Sequence, residues 1–306
     1  MNPKSPEARL SDEKPFEGFH IQNAEPLYNL SGRNPCPRCG KSRMYFCYTC
    51  YVLVSELDGR IPLCKLPVKV HIIKHKREID GKSTSAHAAV LAPENVQVYT
   101  YPEIPEYKLD GRTVLLYPGV EAVSVQELFM GKQSSEKYSE KLLAELPNGY
   151  NVGTLMQKSF PTEIKCDKIY HVEKLPIDCV VLIDSTWNQS RGIFADERLT
   201  HIPKVVLQTR MSHFWRHQKG SPRWYLSTVE ALHQLLLELH LCAWGRSPNY
   251  TTYLTSQFPV HEDNHIACNP YNGQYDNLLY FFKFMYEKLH TLYKHEDMLA
   301  YQRPMT

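Results

Sequence analysis

Five short runs of apolar residues recur along the chain, separated by segments in which apolar residues follow helical spacing. The runs are VKVHIIKH (68–75), VQVYTY (96–101), TVLLYPG (113–119), CVVLIDSTW (179–187) and KVVLQTR (204–210). The last three are continuously apolar at their centres, which is typical of strands covered on both faces of a parallel sheet. Strands that alternate with helices predict an α/β fold, with a mostly parallel sheet and flanking helices.

The strongest helical pattern covers residues 226–244. Ser227 and Glu230 fit a capping box at its start. One apolar stripe follows along the helix, formed by Val229, Leu232, Leu236 and Leu239. Further helices are predicted over 124–131, 136–146 and 188–199, and from Asp276, a predicted N-cap, onward. The polar stretch 131–150 is interpreted as an insertion.

The distribution of charge says more than its sum. The chain has 306 residues, 42% of them hydrophobic, which permits a real core, and its net charge is only +2. Residues 33–77 contain ten Lys and Arg against two acidic residues, and residues 203–223 contain five and no acid. Such stretches suit a polyanionic partner. Solvated surface loops are the alternative, and charge alone leaves both open.

The cysteines are arranged for metal binding. The chain has nine, an odd number, and residues 1–20 lack the apolar run of a secretory signal. Reduced thiols are therefore favoured over disulfides. Two Cys-x-x-Cys pairs, separated by seven residues, are spaced to form a four-sulfur zinc knuckle: Cys36, Cys39, Cys47 and Cys50. Free buried cysteines are the alternative.

Basic and aromatic residues lie within the same knuckle. They are Arg38, Lys41 and Arg43, beside Tyr45, Phe46 and Tyr48. Together such side chains suit contact with the phosphates and bases of RNA. The alternative for the aromatic residues is packing around the metal site.

Polar motifs follow three of the predicted strands. They are Tyr117-Pro118-Gly119, Asp184-Ser-Thr186-Trp187 and Gln208-Thr209-Arg210. The carboxyl ends of parallel strands are where α/β sheets place their sites. Each motif also has a structural reading: Asp184 and Thr186 as helix caps, Trp187 as core or cleft wall, and 208–210 as a solvated loop.

The order of the motifs resembles the DTW-domain family, the tRNA-uridine aminocarboxypropyltransferases. The order is the cysteine knuckle, His75-x-x-Glu78, Ser83-Thr84, Leu-Tyr-Pro, Asp-x-Thr-Trp, Gln-Thr-Arg and Ser-Thr-Val-Glu-Ala (227–231), over residues 34–245. The resemblance implies a fold related to the SPOUT methyltransferases, with a trefoil knot. It also implies transfer of the 3-amino-3-carboxypropyl group of S-adenosylmethionine to N3 of a tRNA uridine, in the D-loop, with release of methylthioadenosine.

This chemistry assigns roles to the motif residues. The catalytic residues are expected to be Asp184, as the base that removes the N3 proton, with Thr186 and Trp187. Cofactor binding is expected of Tyr117, Pro118, Gly119, Gln208, Thr209, Arg210, Ser227, Thr228 and Glu230. RNA binding is expected of Arg38, Lys41, Arg43, His75, Lys82, Thr84, Trp215 and Arg216.

Composition, the cysteine spacing and the resemblance together divide the chain. Residues 1–20 are expected to be a flexible tail, 34–52 the zinc knuckle, 53–250 the catalytic domain, and 251–306 a C-terminal helical extension packed on the same domain. The expected partner is tRNA, with a homodimer left open and no membrane, because no stretch approaches the roughly 18 apolar residues of a spanning helix. The expected location is the nucleus or cytoplasm, with the nucleus favoured.

Two other functions fit the same pattern. A SPOUT-type tRNA methyltransferase would use the same cofactor and release S-adenosylhomocysteine. A non-catalytic, zinc-dependent RNA-binding adaptor would bind RNA without needing Asp184.

Overall fold

A six-stranded sheet is the centre of the molecule. The computed structural model describes residues 14–119, 122–131, 168–218, 220–256, 258–261 and 269–303. The sheet strands are β5 (Lys69–Lys74), β6 (Val96–Thr100), β7 (Thr113–Leu116), β8 (Val123–Ser124), β9 (Cys179–Asp184) and β10 (Lys204–Val206). Their order is β6-β5-β9-β7-β10-β8, and every neighbouring pair is parallel. The predicted α/β fold with a parallel sheet is confirmed.

Four strands of two residues each precede the sheet and form two antiparallel pairs in the cysteine-rich knuckle. β1 (Asn34–Pro35) pairs with β2 (Ser42–Arg43), and β3 (Phe46–Cys47) pairs with β4 (Val52–Leu53), both antiparallel. Each pair is a minimal hairpin, which is too short to be stable without further support.

Helices cover the sheet. They are α1 (Glu25–Tyr28), α2 (Ser85–Leu91), α3 (Val125–Phe129), α4 (Trp187–Phe194), α5 (Glu197–Thr200), α6 (Thr228–Trp244) and α7 (Tyr280–His290). Short 3₁₀ turns occur at Ser55–Leu57, Asp276–Leu279 and His295–Asp297. Among the described helices, none is long and apolar enough to cross a membrane.

Helix α6 begins as predicted, with the reciprocal capping box of Ser227 and Glu230. It ends at Gly245, whose φ of +72° favours glycine. The predicted stripe understates its burial, because polar side chains such as His233 and Glu238 are buried as well. A helix buried on most faces is a central element of the core.

The region predicted as one helix over 188–199 is two helices, α4 and α5. The break occurs because Asp196 caps α5, accepting from the Arg198 amide at 3.1 Å. Asp276 is not an N-cap, since Tyr275 holds that position. The buried Asp276 carboxylate instead accepts hydrogen bonds from Tyr250 and Tyr271. The predicted helix 136–146 lies outside the described residues, as does nearly all of the insertion 131–150.

The predicted flexible tail does not extend to residue 20. Phe19 is buried in the main core, and the ring of Phe16 packs edge-on against Tyr286, with centroids 5.3 Å apart. The His20 amide donates to Asp276 at 2.7 Å. Two aromatic residues three positions apart outweigh the polar composition, because their burial releases a large apolar area from water. Residues 1–13 lie outside the described part of the chain.

The C-terminal helix joins the same core. Phe281 and Phe282 of α7 are fully buried in one cluster with Val70 of the sheet and Leu236 of α6. The described residues of the predicted C-terminal extension are therefore packed against the sheet domain and share its core.

Candidate active site

A cleft of about 1070 Å³ lies at the carboxyl ends of β7, β9 and β10. It forms there because parallel strands end at a common edge, where their connecting loops diverge. Twelve of the predicted site residues line it: Lys82, Thr84, Tyr117, Pro118, Asp184, Thr186, Trp187, Gln208, Thr209, Arg216, Ser227 and Thr228. The structure thus brings together motifs from five separate parts of the sequence.

Asp184 lies at the centre of this convergence. It is the last residue of β9, and only 6% of it is exposed. Its Oδ2 accepts a hydrogen bond from Ser83 Oγ at 2.6 Å, and its Oδ1 accepts one from Thr228 Oγ1 at 2.7 Å. The Thr84 hydroxyl accepts from the Val229 amide at 3.2 Å. One buried carboxylate therefore ties the end of β9 to the loop before α2 and to the first turn of α6.

Aromatic rings form one wall of the cleft. Trp187 begins α4, and its ring centroid lies 4.5 Å from that of Tyr225 and 6.2 Å from that of Tyr117. The hydroxyls of Tyr117 and Ser190 are 3.0 Å apart. Burial raises the pKa of Tyr225 to about 12, so its phenol stays neutral. Such a wall offers flat faces on which a planar ring can stack.

Thr186 has a clear local role beside this wall. Its hydroxyl and the Gln189 side chain form a reciprocal capping box at the start of α4. The structure thus confirms Thr186 as a helix cap, and this cap fixes the direction in which Trp187 leaves the strand.

Two carboxylates line the cleft in the described part of the chain, Asp184 and Glu78. Burial raises the pKa of Glu78, and the nearby charge of Asp184 raises it further. Lys74 and Lys82 act in the opposite direction but do not cancel these effects. The cleft therefore holds Asp184, whose two oxygens each accept a hydrogen bond, and Glu78, which binds its proton more tightly than an ordinary glutamate.

Side chains of α6 form hydrogen bonds with the backbone of Gln208, two residues after β10. The Gln208 amide donates to Glu238 Oε1 at 3.0 Å, and the Gln208 carbonyl accepts from Gln234 Nε2 at 2.6 Å. Burial raises the pKa of Glu238 to about 7, although hydrogen bonds from Gln234 and the Gln208 amide lower it. Because its backbone groups are used inside the protein, Gln208 has only its side chain left to offer a ligand.

Two charged residues predicted to bind the cofactor do not line the cleft. Arg210 is buried, with 3% exposure. Glu230 is fully buried, where it accepts hydrogen bonds from the Ser212 hydroxyl and the His213 amide as well as from Ser227. It caps α6 and fixes the loop that follows β10. The structure therefore places neither side chain in the cleft lining.

Three further residues also lie away from the cleft lining. Trp215 packs against Phe282, with ring centroids 5.0 Å apart. His75 accepts a hydrogen bond from the Arg77 amide at 3.1 Å, within its own turn. Gly119 follows the lining residue Pro118 but does not itself contribute to the lining. The spacing of a motif does not determine which of its side chains faces the cleft.

Sequence reasoning missed three lining residues that the structure makes prominent. Ser83 and Glu78 stood in the quoted motifs but were given no role. Tyr225 was overlooked within the basic stretch and its flank. Its position two residues before the Ser227 cap was the available signal, because Ser227 was itself a predicted site residue.

The four cysteines of the knuckle form one cluster. Their sulfur atoms all lie within 4.8 Å of one another. Each Cys-x-x-Cys turn closes in the same way: the Gly40 amide donates to the Cys36 carbonyl at 2.9 Å, and the Tyr51 amide donates to the Cys47 carbonyl at 2.8 Å. Both closing residues have positive φ, +68° and +55°. The donor set and its spread fit a tetrahedral zinc ion.

The thiols of the cluster differ in acidity: a hydrogen bond with Cys39 raises the pKa of Cys50 to about 12, whereas the pKa of Cys47 is lowered. Burial acts to raise the pKa of the Cys47 thiol, but hydrogen bonds from the Cys50 and Thr49 amides outweigh it and lower the pKa to about 6. Arg43 is buried with its guanidinium 4.1 Å from the Tyr48 ring centroid. Its predicted role in RNA binding is therefore not supported by its position, whereas Arg38 and Lys41 are exposed.

The knuckle contacts the loop between β5 and α2, which carries residues of the cleft. Thr49 Oγ1 donates to Asp80 Oδ2 at 3.1 Å, and the Tyr48 ring lies over Gly81, where a Cβ would be 3.6 Å from it. From the other side, Arg216 donates to the Gly81 carbonyl at 3.1 Å. The knuckle and the cleft therefore share one supporting segment.

Comparison with known proteins gives a consistent result. The family model described as the DTW domain matches residues 44–290. Proteins named tRNA-uridine aminocarboxypropyltransferase 1 are similar over most of the chain. The mouse protein is 37% identical (92% of this chain, 90% of its own), the Xenopus laevis protein 38% (90% and 92%), and the human protein 37% (91% and 84%). No solved structure matches.

Proposed function

The chain belongs to the DTW-domain family, and from this membership we propose that it is a tRNA-uridine aminocarboxypropyltransferase. The donor is S-adenosylmethionine, and the product is 3-(3-amino-3-carboxypropyl)uridine in the D-loop of tRNA. S-adenosylmethionine supplies an activated γ-carbon next to its sulfonium. Uridine N3 forms a bond to that carbon, the carbon–sulfur bond breaks, and methylthioadenosine leaves with the electron pair.

The observation that carries this proposal is the convergence of the strand-end motifs on one cleft around Asp184. Its volume of about 1070 Å³ suits a nucleoside cofactor and an extruded base together, since small-molecule sites commonly span about 300–1000 Å³. A leaving sulfonium needs no proton, so the site needs a base and exact placement more than an acid.

The lining residues divide by chemistry. Gln208, Thr209 and Ser227 offer polar groups for the adenosine and amino-acid parts of the donor, beside Tyr117 and Pro118. Lys82 and Arg216 are cations of the cleft lining, and they suit tRNA phosphates. Trp187 and Tyr225 form the platform for the unstacked uridine, because RNA bases are read when they leave the helix and stack on aromatic rings.

We further propose that Cys36, Cys39, Cys47 and Cys50 hold one zinc ion. The four-sulfur geometry within 4.8 Å supports this. A closed four-cysteine site takes no part in the chemistry. Its role is to keep two minimal hairpins folded, and through Tyr48 and Thr49 to support the loop at Asp80 and Gly81.

A knotted, SPOUT-like topology is the expected fold within this family. It is supported by the pairing of β10 between β7 and β8, although β7 and β8 are joined by only six residues, 117–122. Val205 pairs with both Leu116 and Val123, so two strands that are close in sequence lie on opposite sides of β10. Single-molecule pulling tests the knot, since a knotted chain extends less than its residue count requires.

Nucleoside mass spectrometry tests the reaction. The purified full-length chain is incubated with unmodified tRNA and S-adenosylmethionine. An aminocarboxypropyl-uridine with an equal amount of methylthioadenosine is expected, and replacing the D-loop uridines with cytidine should abolish it. Methyluridine with S-adenosylhomocysteine would assign the protein to the methyltransferases. Bound but unchanged tRNA would identify an adaptor.

The aromatic platform has its own test. Trp187→Ala should weaken tRNA binding by about 1–3 kcal/mol if one base stacks on this ring. Trp215→Phe is the matched control, because Trp215 packs against Phe282 and does not line the cleft. Equal effects of the two substitutions would remove Trp187 as the platform.

A further inference from the structure

We propose that Glu78, and not Asp184, is the base that takes the proton from uridine N3, with Asp184 as the positioning residue that fixes the loop carrying Glu78. This inference rests on the proposed function and names the catalytic group within it.

Asp184 is held by hydrogen bonds inside the protein. Its two carboxylate oxygens accept hydrogen bonds from Ser83 Oγ at 2.6 Å and from Thr228 Oγ1 at 2.7 Å. Only 6% of the residue is exposed. Asp184 therefore links the end of β9 to the loop before α2 and to the first turn of α6, which fits a residue that positions its neighbours.

Glu78 is placed to reach a substrate in the cleft. It lines the same cleft, is half-buried, and is close enough to Asp184 to feel its charge. The loop is fixed at its start, because the Glu78 amide donates to the His75 carbonyl at 2.9 Å and the His75 amide donates to the Asp184 carbonyl at 3.0 Å. Glu78 therefore lies near Asp184 and lines the cleft.

Contacts with the rest of the protein hold the loop that carries Glu78 on both sides. Thr49 contacts Asp80, Asp80 pairs with Lys74, and Arg216 donates to the Gly81 carbonyl. Ser83, at the end of the loop, is bonded to Asp184. A catalytic group gains most when its backbone is fixed before substrate arrives, and these contacts fix the backbone around Glu78.

The raised pKa of Glu78 suits the transfer of a proton from uridine N3. Burial raises the pKa of Glu78, as does the charge of Asp184, while Lys74 and Lys82 oppose both. The uridine imide is a weak acid, so a carboxylate with a raised pKa is the better acceptor for its proton. The balance is complete: the N3 proton goes to Glu78, the N3 electron pair forms the bond to the γ-carbon, and the carbon–sulfur pair goes to methylthioadenosine.

The experiment compares Glu78→Gln, Glu78→Asp and Asp184→Asn in the full-length protein, with Glu103→Gln as the matched control on an exposed loop. Glu78→Gln should lower kcat by about 10²–10⁴-fold and leave equilibrium binding of S-adenosylmethionine and the melting temperature unchanged. Glu78→Asp should retain part of the activity. Glu103→Gln should match wild type.

The decisive readout uses tRNA transcribed with 5-fluorouridine, whose fluorine makes the N3 proton more acidic. The defect of Glu78→Gln should shrink on this substrate, because less base strength is needed, whereas the defect of Asp184→Asn should not. An unchanged Glu78→Gln defect, or wild-type turnover by that variant, would overturn the assignment. A defect that shrinks only in Asp184→Asn would make Asp184 the base. If wild type forms no aminocarboxypropyl-uridine, the proposed function itself fails and the assignment fails with it.

Discussion

Ser83 Oγ donates a 2.6 Å hydrogen bond to Asp184 Oδ2, although the two residues are 101 positions apart in the chain. The other oxygen of the same carboxylate accepts from Thr228, a further 44 positions along. Each of the three residues belongs to a motif that stands alone in the sequence. In the folded chain they form one partly buried, hydrogen-bonded unit in the lining of the cleft.

This unit should contribute to stability as well as to activity. In Asp184→Asn the amide keeps one acceptor oxygen and turns an N–H group toward the second hydroxyl. We expect a loss of about 1–3 kcal/mol in the free energy of unfolding, because a buried donor is left without its partner. Urea denaturation of the two proteins measures it.

A double-mutant cycle is the control. Thr228→Val should cost less in the Asp184→Asn background than in wild type, and Thr228→Ser, which keeps the hydroxyl, should cost little in either. Strictly additive costs would show that the carboxylate and the hydroxyl do not act together.

Glu238 should make stability depend on pH. Burial raises its pKa from the usual 4.5 to about 7, so the folded state holds this proton more tightly than the unfolded state. The contribution to stability is fully present below about pH 4.5 and is lost as pH rises through 7, and it amounts to about 3 kcal/mol. Glu238→Gln should remove this part of the pH dependence of the unfolding free energy.

Urea denaturation at pH 5 and pH 8 checks this prediction. The fall in unfolding free energy between the two pH values should be smaller in Glu238→Gln than in wild type. Glu94→Gln, at an exposed position, serves as the control. The same fall in all three proteins would contradict a proton on Glu238 in the folded state.

The C-terminal strap, residues 298–303, should position the loop on one side of the cleft. Tyr301 Oη donates to the His213 carbonyl at 3.1 Å, and Arg303 donates to Gln218 Oε1 at 3.3 Å. Gln218 lines the cleft, whereas the family match ends at residue 290. Arg303→Ala should therefore raise KM for tRNA or S-adenosylmethionine more than it lowers kcat, as measured by steady-state kinetics.

The matched control lies in the same segment. Gln302 is exposed and donates to the Glu296 carbonyl, away from the loop. Gln302→Ala should leave KM unchanged. If Arg303→Ala lowers the melting temperature but leaves both KM values as in wild type, the strap stabilises the fold without positioning the loop.

Zinc removal should affect the cleft as well as the knuckle. We expect one zinc ion per chain by elemental analysis, lost in Cys39→Ser and retained in Cys179→Ser, since Cys179 lies outside the cluster. Acid should release the metal, because the thiolates must then take up protons. After chelation, hydrogen exchange should speed up around Asp80 and Gly81, which contact the knuckle. Unchanged exchange there would separate the two regions.

The sequence was sufficient wherever local chemistry decided the structure. Short, continuously apolar runs that alternate with helical segments are typical of strands covered on both faces of a sheet, so β7, β9 and β10 were predictable. A Ser and a Glu three positions apart satisfy the amides at a helix start whatever surrounds them, so the cap of α6 was predictable too. The four-cysteine cluster is equally local, because its two Cys-x-x-Cys pairs are close in sequence and spaced for a tetrahedral metal site.

Short or buried features escaped the same reasoning. β8 has two residues, which is too few to show a period, and α2 is a buried run of small residues. Asp276 has the residue type of an N-cap, but in the interior it instead accepts hydrogen bonds from Tyr250, Tyr271 and the His20 amide. A polar residue in a sequence does not reveal whether its partner is the next helix or a side chain far along the chain.

By itself, then, the sequence determined the parallel sheet, the cysteine knuckle, and the family whose motifs the chain carries, because each depends on the type and spacing of nearby residues. Only the tertiary structure decided which side chains face the cleft. Arg210 and Glu230 turn into the interior, while Tyr225 and Glu78 enter the site. The direction of a side chain depends on what packs against its strand or helix from distant parts of the chain, and spacing along the sequence does not contain that information.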